Sequence, residues 1–141
     1  MTRARHYAVL RRRMKSIGPV RLFGMKLAEL APGRAILTME TGARHRHPDA
    51  VHGGVIAALA DTALALAIYT RIPPGTKIAT VEMNISYLNA HQRGRLRARA
   101  RVLRLGRRLA FGEVEVRNRG GNLVAKSRMI YSVRRMEEKR S

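Results

Sequence analysis

One segment, residues 53–69, restricts the possible fold more than any other part of the chain. Its sequence, GGVIAALADTALALAIY, is apolar on nearly every side of a helix and carries a single charge, Asp61. A helix that is apolar almost all round must be covered by other elements. Its acid and its length predict a core helix, because a bilayer-spanning helix needs about 20 apolar residues. No apolar run in the chain predicts a membrane partner.

The chain after residue 77 alternates with a period of two and supplies the cover. In TVEMNISYL, one face is expected to carry Val81, Met83, Ile85 and Tyr87, and the other Thr80, Glu82, Asn84 and Ser86. In RLRARARV, apolar residues alternate with four arginines, which predicts a half-buried antiparallel strand with a basic outer face. Leu103 and Leu105 break that alternation, so we expect a bulge or bend there. The segments LAFGEVEVRN and NLVAKSRMIYSV are joined by the hairpin signal NRGGN.

The chain before residue 53 contributes less regular elements. Residues 3–16 are predicted to form a short helix, with Tyr7, Leu10 and Met14 on one face. VRLFGMKLAEL and RAILTME are predicted to be two strands around a turn-forming cluster at 31–33, and residues 42–51 a loop. The whole order predicts an α+β fold: a short N-terminal helix, then one long central helix wrapped by a curved antiparallel sheet of about six strands.

The start of the long helix is the first candidate site. Its first backbone N–H groups lack helical partners and carry partial positive charge. Gly53 and Gly54 let a ligand approach that backbone, which suits a carbonyl oxygen that becomes an oxyanion. Asp61 follows a little over two turns later on a similar side of the helix. The alternatives are that the glycines only form a tight turn, and that Asp61 caps a loop or pairs with an arginine.

Two neighbouring residues extend this candidate site. Thr80, at the start of the next strand, is placed to orient the carboxylate, although an ordinary strand threonine is the simpler interpretation. His52 is a candidate base, and a hydrogen-bonded structural role at the helix start is the preferred interpretation. His45, His47 and His52 do not predict a metal site, because Arg44 and Arg46 repel cations and the spacing matches no standard ligand set.

Charge and composition restrict the possible partners. The chain has 29 Lys and Arg against 9 Asp and Glu, a net charge of +20, which favours anionic partners. The arginines are spread along the whole chain, so a solvated surface explains the charge as well as a functional patch does. Aromatic residues make up 4% of the chain, which disfavours a base-stacking surface for nucleic acid. The absence of cysteine excludes disulfides and thiol chemistry.

Three segments together resemble a known family. VHGGVIAALADTA, TVEMNISYLNA and VLRLGRRLAFGEVEVRNRGGNLVAKSRMIYSV are similar to the hotdog-fold acyl-CoA thioesterases of the phenylacetate-degradation type, over roughly residues 20–133. The resemblance implies a hotdog fold and hydrolysis of an acyl-CoA thioester, with coenzyme A as part of the substrate and no separate cofactor. It also implies homodimers or homotetramers with active sites at the protomer interface.

The resemblance assigns roles to individual residues. It implies that Asp61 is the general base or nucleophile and that Gly53, from the opposite protomer, donates its N–H to the thioester carbonyl. Thr80 falls where some members carry a serine that positions water. Arg107 and Arg108, together with Gly54, are predicted to contact coenzyme A.

The chain departs from the family pattern N-x-x-G-x-x-H-G-G at two positions. Arg46 and Asp49 stand where many members have the asparagine and the glycine. This departure favours a second hypothesis, a non-catalytic acyl-CoA-binding or regulatory hotdog protein. A third, weaker hypothesis is a basic domain that binds nucleic acid through Arg95, Arg97, Arg99 and Arg101.

The organisation of the chain follows from the same reasoning. We expect a basic helical extension at 1–19, the hotdog domain at 20–134 and a frayed tail at 135–141. The N-terminal residues lack the apolar stretch of a signal peptide, so the expected location is the cytoplasm.

Overall fold

The computed structural model describes residues 1–136, so most of the tail predicted at 135–141 lies outside the described residues. The helices are α1 (Arg3–Met14), α2 (Gly18–Phe23) and α3 (Gly53–Tyr69), with a single 3-10 turn at Ala43–His45. The strands are β1 (Met25–Ala31), β2 (Arg34–Thr41), β3 (Lys77–Tyr87), β4 (Gly94–Leu105), β5 (Leu109–Asn118) and β6 (Leu123–Arg134).

The six strands form one antiparallel sheet that packs against α3. The strand order is β1-β2-β4-β5-β6-β3, so β1 and β3 are the two edges. Six residues of α3 are completely buried: Leu59, Ala60, Ala63, Leu64, Ala67 and Ile68. The predicted fold class is confirmed, because the apolar helix takes its cover from the inner face of the sheet. Among residues 1–136, no helix has the length and apolar character needed to cross a bilayer.

The arginine-rich strand β4 has the alternation that the sequence predicts. Leu96, Ala98 and Ala100 are buried, while the arginines between them are exposed on the outer face. The pairing of β4 with β5 shifts register between Val102 and Arg104, which confirms the expected bulge. A β-bulge lets the strand absorb one extra residue and bend.

The predicted face assignment of β3 is wrong at its start. The pairing of β3 with β6 shifts register between Thr80 and Glu82, so Val81 is an extra residue in the strand. Because each residue of a strand changes face, one extra residue moves the preceding residues to the opposite face. Thr80 therefore shares the inner face with Met83 and Ile85, and Val81 is 61% exposed.

The strand predicted for VRLFGMKLAEL is also wrong in its first part. Residues 18–23 form the helical turn α2, and the strand begins only at Met25. Pro19 lies in the first turn of α2, where its missing N–H costs nothing, and Gly24 closes the helix at φ 69°. Pro19 and Gly24 therefore favour a short helix here, although the apolar alternation of these residues also fits a strand.

The N-terminal helix α1 packs onto the rest of the chain. Thr2 caps it by accepting a hydrogen bond from the Arg5 N–H, and Leu10 and Met14 are buried. Met14 and Val20 lie in the same hydrophobic core as α3. The helical prediction is confirmed, whereas the domain boundary after residue 19 stays a prediction.

Candidate active site

Within residues 1–136, the first turn of α3 leaves one backbone N–H without an acceptor, that of Gly53. His52 is the N-cap residue, and its Nδ1 accepts a hydrogen bond from the Gly54 N–H at 2.9 Å. A ring nitrogen that accepts is unprotonated, so this contact fixes the neutral tautomer with the proton on Nε2. The Gly53 N–H has no acceptor among residues 1–136. The helix start therefore offers Gly53, and not Gly54, as a donor for a ligand oxygen.

A tyrosine that sequence reasoning did not single out lies against this helix start. The Tyr87 hydroxyl, at the end of β3, donates to the Gly53 carbonyl oxygen at 2.7 Å. A Cβ on residue 53 would lie 3.1 Å from the Tyr87 ring, so the close approach of that ring favours glycine here. Tyr87 thus links the edge strand to Gly53, the residue whose N–H is free.

Asp61 lies in the third turn of α3 and is half-buried. Its Oδ1 accepts a hydrogen bond from the Thr80 hydroxyl at 2.8 Å and a second one from the Tyr131 hydroxyl. No lysine, arginine or histidine of the described chain forms an ion pair with it, despite the many arginines. Within residues 1–136 the structure thus shows neither an arginine partner nor a capped loop for Asp61, and its side-chain partners there are two hydroxyls.

The two hydroxyls reach Asp61 because they lie side by side on the sheet. Thr80 on β3 and Tyr131 on β6 are directly paired across the strands. The bulge at Val81 puts Thr80 on the inner face, and Tyr131 follows Ser127 and Met129 on the same face of β6. This alternation was the available signal for Tyr131, since a hydroxyl on a buried face requires a partner.

The Tyr131 hydroxyl acts as a donor to Asp61 in this arrangement. Burial raises the pKa of Tyr131 above its ordinary value, and the hydrogen bond to Asp61 and the charge of that carboxylate raise it further. A tyrosinate beside a carboxylate would place two negative charges together in a poorly solvated site. The Tyr131 hydroxyl therefore keeps its proton over the range of pH in which enzymes work.

The free donor and the carboxylate are too far apart to act on one carbonyl from within one chain. Gly53 and Asp61 are eight residues apart on α3, which is about 12 Å along the axis at 1.5 Å per residue. A nucleophile and an oxyanion donor each need to be about 3 Å from the same reacting group. Within one chain, the free donor and the carboxylate are therefore two separate candidate half-sites at different heights of α3.

The predicted contacts for coenzyme A lie at the same end of the sheet as Thr80. Arg107 and Arg108 form the exposed turn between β4 and β5, and within the described chain neither forms an ion pair. The Arg108 carbonyl accepts from the Val133 N–H, and Ala110 pairs with Tyr131. The turn is thus two strands away from the Thr80 end of β3.

The loop before α3 shows what replaces the family asparagine. Arg46 pairs with Val51 in an isolated bridge, and its guanidinium donates to Gln92 Oε1 at 3.2 Å. Asp49 is exposed, and its N–H donates to His47 Nδ1 at 3.2 Å. His45 is buried, and both its ring nitrogens have main-chain hydrogen-bond partners, the Gly42 N–H and the Phe23 carbonyl oxygen. Within residues 1–136 no cluster of three metal-ligating side chains occurs.

The arginines of β4 line a separate feature. A trough of about 450 Å³ opens on the outer face of the sheet and includes Arg97 and Arg99. Part of its charge is compensated on β5, where Glu113 binds Arg101 at 2.6 Å. The thickness of the sheet separates this trough from α3, so it is not part of the candidate active site.

The match to a known family covers Gly53, Asp61 and Thr80 and ends before Tyr131. A model of the thioesterase superfamily matches residues 49–125. A putative esterase of Halobacterium salinarum is 41% identical over 68 residues, which are 47% of this chain and 44% of that protein. The chain thus matches less than half the length of that relative.

Solved structures share the fold over most of the chain. A thioesterase from Haemophilus influenzae has a TM-score of 0.84 and 26% identity, covering 94% of this chain and 92% of that one. A mutant of the phenylacetic acid degradation protein PaaI from Thermus thermophilus has a TM-score of 0.73 and 36% identity, covering 80% of this chain and 96% of that one.

Proposed function

Because this chain belongs to the thioesterase superfamily, we propose that it hydrolyses acyl-CoA thioesters in the cytoplasm. The observation that carries the proposal is the half-buried Asp61, which has no cationic partner among residues 1–136 and is bound by two hydroxyls. A carboxylate held in this way stays available to a substrate instead of being neutralised by an ion pair. Coenzyme A enters as part of the substrate, and the proposal requires no other cofactor.

The proposed chemistry divides the work between the two half-sites. The Gly53 N–H donates to the thioester carbonyl oxygen and stabilises the negative charge that forms there. Asp61 either takes a proton from the attacking water or attacks the carbonyl carbon itself, giving an anhydride that water then cleaves. In both routes the bond between carbonyl carbon and sulfur breaks, and the products are the free acid and coenzyme A.

We propose that each active site combines Gly53 of one protomer with Asp61 of its partner. The 12 Å rise between the two residues along α3, about eight residues at 1.5 Å, supports this division. The edge strand β3 is the proposed contact, because it has 11 residues and carries exposed apolar side chains. On the strand, Val81 is 61% and Tyr87 49% exposed, and Leu88, directly after it, is 52% exposed. We propose a homodimer built on this edge, alone or within a homotetramer.

The remaining predicted residues keep supporting roles in this proposal. Arg107 and Arg108 form no ion pair among residues 1–136, and we propose that their guanidinium groups bind coenzyme A phosphates. His52 caps α3 and thereby holds the helix start in place. Gly54 contributes the absence of a side chain, since its N–H is bonded to His52.

The experiment mixes two variants that disable different half-sites. Asp61→Ala removes the carboxylate. Gly53→Pro removes the N–H and adds a ring, and proline is well tolerated at the first position of a helix. Gly53→Ala is the matched control, since it adds a Cβ against Tyr87 but keeps the N–H. Each variant is purified, its hydrolysis of short, long and aromatic acyl-CoAs is measured, and the two are then co-refolded.

The expected result is that Asp61→Ala and Gly53→Pro each lose about 100-fold or more in kcat. The co-refolded mixture should recover about a quarter of wild-type activity, because half of its dimers are mixed and each mixed dimer has one intact site. Mixed dimers without recovery would contradict the shared site. Wild-type turnover in Asp61→Ala would contradict the proposed catalysis.

A second candidate function is binding of acyl-CoA without hydrolysis. It is favoured by Arg46, whose guanidinium only donates hydrogen bonds and cannot accept one from a water, as an asparagine can. Calorimetric titration with several acyl-CoAs, with turnover measured in parallel, separates the two functions. Binding without turnover for every acyl group would establish the second one.

A further inference from the structure

We infer that Tyr131 is a positioning residue, which fixes the Asp61 carboxylate so that one oxygen is held and the other is left to react. The inference rests on the proposed function, since it assigns a role within the same site. Tyr131 does not touch the substrate in this role and acts through Asp61.

The hydrogen bonds of Asp61 are distributed unevenly between its two oxygens. Oδ1 accepts from both Thr80 and Tyr131, whereas Oδ2 has no hydrogen-bond partner among residues 1–136. The Tyr131 hydroxyl also lies 2.7 Å from the main-chain carbonyl oxygen of Asp61. One hydroxyl therefore bridges the main chain and the side chain of the same residue. This bridge restricts rotation of the carboxylate and keeps Oδ2 as its free oxygen.

The placement of Tyr131 makes it the firmer of the two donors. Its side chain is 2% exposed, whereas Thr80 lies exposed at the edge strand. Its raised pKa, caused first by burial and then by Asp61, keeps the proton on the hydroxyl. A buried donor with a fixed proton holds its acceptor at a fixed distance and direction.

No other charged group of the described chain substitutes for these hydroxyls. On β3, Glu82 lies on the outer face of the sheet, away from Asp61. Among the described residues, no basic side chain of β3, β6 or α3 forms an ion pair with Asp61. The further titratable group near Tyr131 is Tyr69 on α3. The negative charge of Asp61 is therefore stabilised locally by Thr80 and Tyr131.

Two measurable consequences follow from the loss of the Tyr131 hydroxyl. A donor to an ionised carboxylate favours the ionised form, so its removal should move the acidic limb of the rate profile to higher pH. The carboxylate also gains freedom to rotate, which lowers kcat, while substrate binding through other groups leaves KM nearly unchanged.

The experiment compares Tyr131→Phe with Tyr7→Phe. Both remove one phenolic oxygen, but Tyr7 lies on α1 and its hydroxyl has no partner among residues 1–136. We expect Tyr131→Phe to lower kcat about 10- to 100-fold, the loss of one hydrogen bond to a charged group. KM should change less than about threefold. The acidic limb of the Tyr131→Phe rate profile should move to higher pH. Tyr7→Phe should match the wild type in kcat, in KM and in the position of this limb.

A merely structural role predicts a different outcome. Fewer folded molecules would lower kcat by the same factor at every pH and leave the limb in place, and that result would overturn the inference. Thr80→Val is the second variant, because it removes the other donor to Oδ1 from an exposed position. It should move the limb in the same direction, and an unmoved limb in this variant would also count against the inference.

A readout without substrate separates this inference from the proposed function. The ¹³C carboxyl resonance of Asp61 is followed during a pH titration of the wild type and of Tyr131→Phe. A midpoint at higher pH in the variant supports the positioning role even if no acyl-CoA is hydrolysed. An identical midpoint would overturn it even if the wild type is an active thioesterase.

Discussion

Asp61 shows how a single unfavourable residue is accommodated within an apolar helix. Aspartate has low helix propensity, and a carboxylate removed from water needs hydrogen bonds or a counter-charge. In the described part of the chain, Asp61 is bound by the hydroxyls of Thr80 and Tyr131 and not by one of the many cations. A hydroxyl partner stabilises the charge without forming a competing ion pair, so the carboxylate keeps its capacity to take a proton or to attack a carbon.

The first prediction concerns alkaline stability and arises from Tyr131. The pKa of Tyr131 in the folded protein is raised above the ordinary value of about 10, which applies to the unfolded chain. The stability that the protonated Tyr131 contributes is therefore fully present below about pH 10. It is lost as the pH rises above that value, because the unfolded chain then loses the proton first. The unfolding free energy of the wild type, relative to Tyr131→Phe, should fall by about 1.4 kcal/mol per pH unit above about pH 10. Urea unfolding of both proteins from pH 8 to 11 measures this. A difference that stays constant with pH would contradict it.

At the scale of secondary-structure elements, the packing of α3 against the sheet depends on small residues. Gly112, in the middle of β5, has no room for a side chain, because a Cβ there would collide with a methyl group of Leu64 and lie 2.9 Å from the Arg101 carbonyl oxygen. The backbone of β5 therefore approaches α3 directly. Together with the buried alanines of α3, this glycine lets the sheet pack closely against the helix.

The second prediction tests this close approach. Gly112→Ala should lower the unfolding free energy by about 1 to 3 kcal/mol, because it overpacks a rigid core and presses on backbone as well as on Leu64. Gly18→Ala is the control, since a Cβ at that position meets nothing within 4 Å. Chemical denaturation of both variants gives the comparison. Equal stability of the two would show that α3 can shift to make room.

At the scale of the whole molecule, association of two protomers depends on the edge strand β3 and on charge. Each protomer carries a net charge of +20, so two protomers repel each other at long range. The proposed dimer must therefore be stabilised by the apolar side chains and unpaired main-chain groups of β3. Salt screens the repulsion but not the apolar contact, so association should strengthen as salt is added.

The third prediction places a charge in that proposed contact. Val81→Lys puts a cation on the exposed bulge of β3, which should weaken or abolish the dimer and, with it, the activity. Sedimentation analysis at low and high salt measures the association, and Leu22→Lys is the control because Leu22 is 63% exposed on α2, away from β3. A Val81→Lys dimer as stable as the wild type would contradict the contact through β3.

Much of the fold and the centre of the site were predictable from local patterns. The bounds of α3, the arginine alternation of β4 and the bulge near Leu103 follow from periodicity, because burial on one side imposes the same spacing on the sequence. Asp61 was identified for the same reason, as the one charge in an apolar helix. The pairing of the helix start with Asp61 came from their spacing along one helix.

Other features were decided by the tertiary structure alone. The extra residue at Val81 reverses the predicted face of Thr80. A bulge of a single residue leaves no visible change in the alternation of this strand, so it could not be predicted from the sequence. Tyr131 is 70 residues from Asp61 along the chain, and only the sheet register brings them together. The sequence by itself determined which elements form and which residue carries the charge. The tertiary structure decided the partners of that charge, because hydrogen bonds across strands depend on register and not on local periodicity.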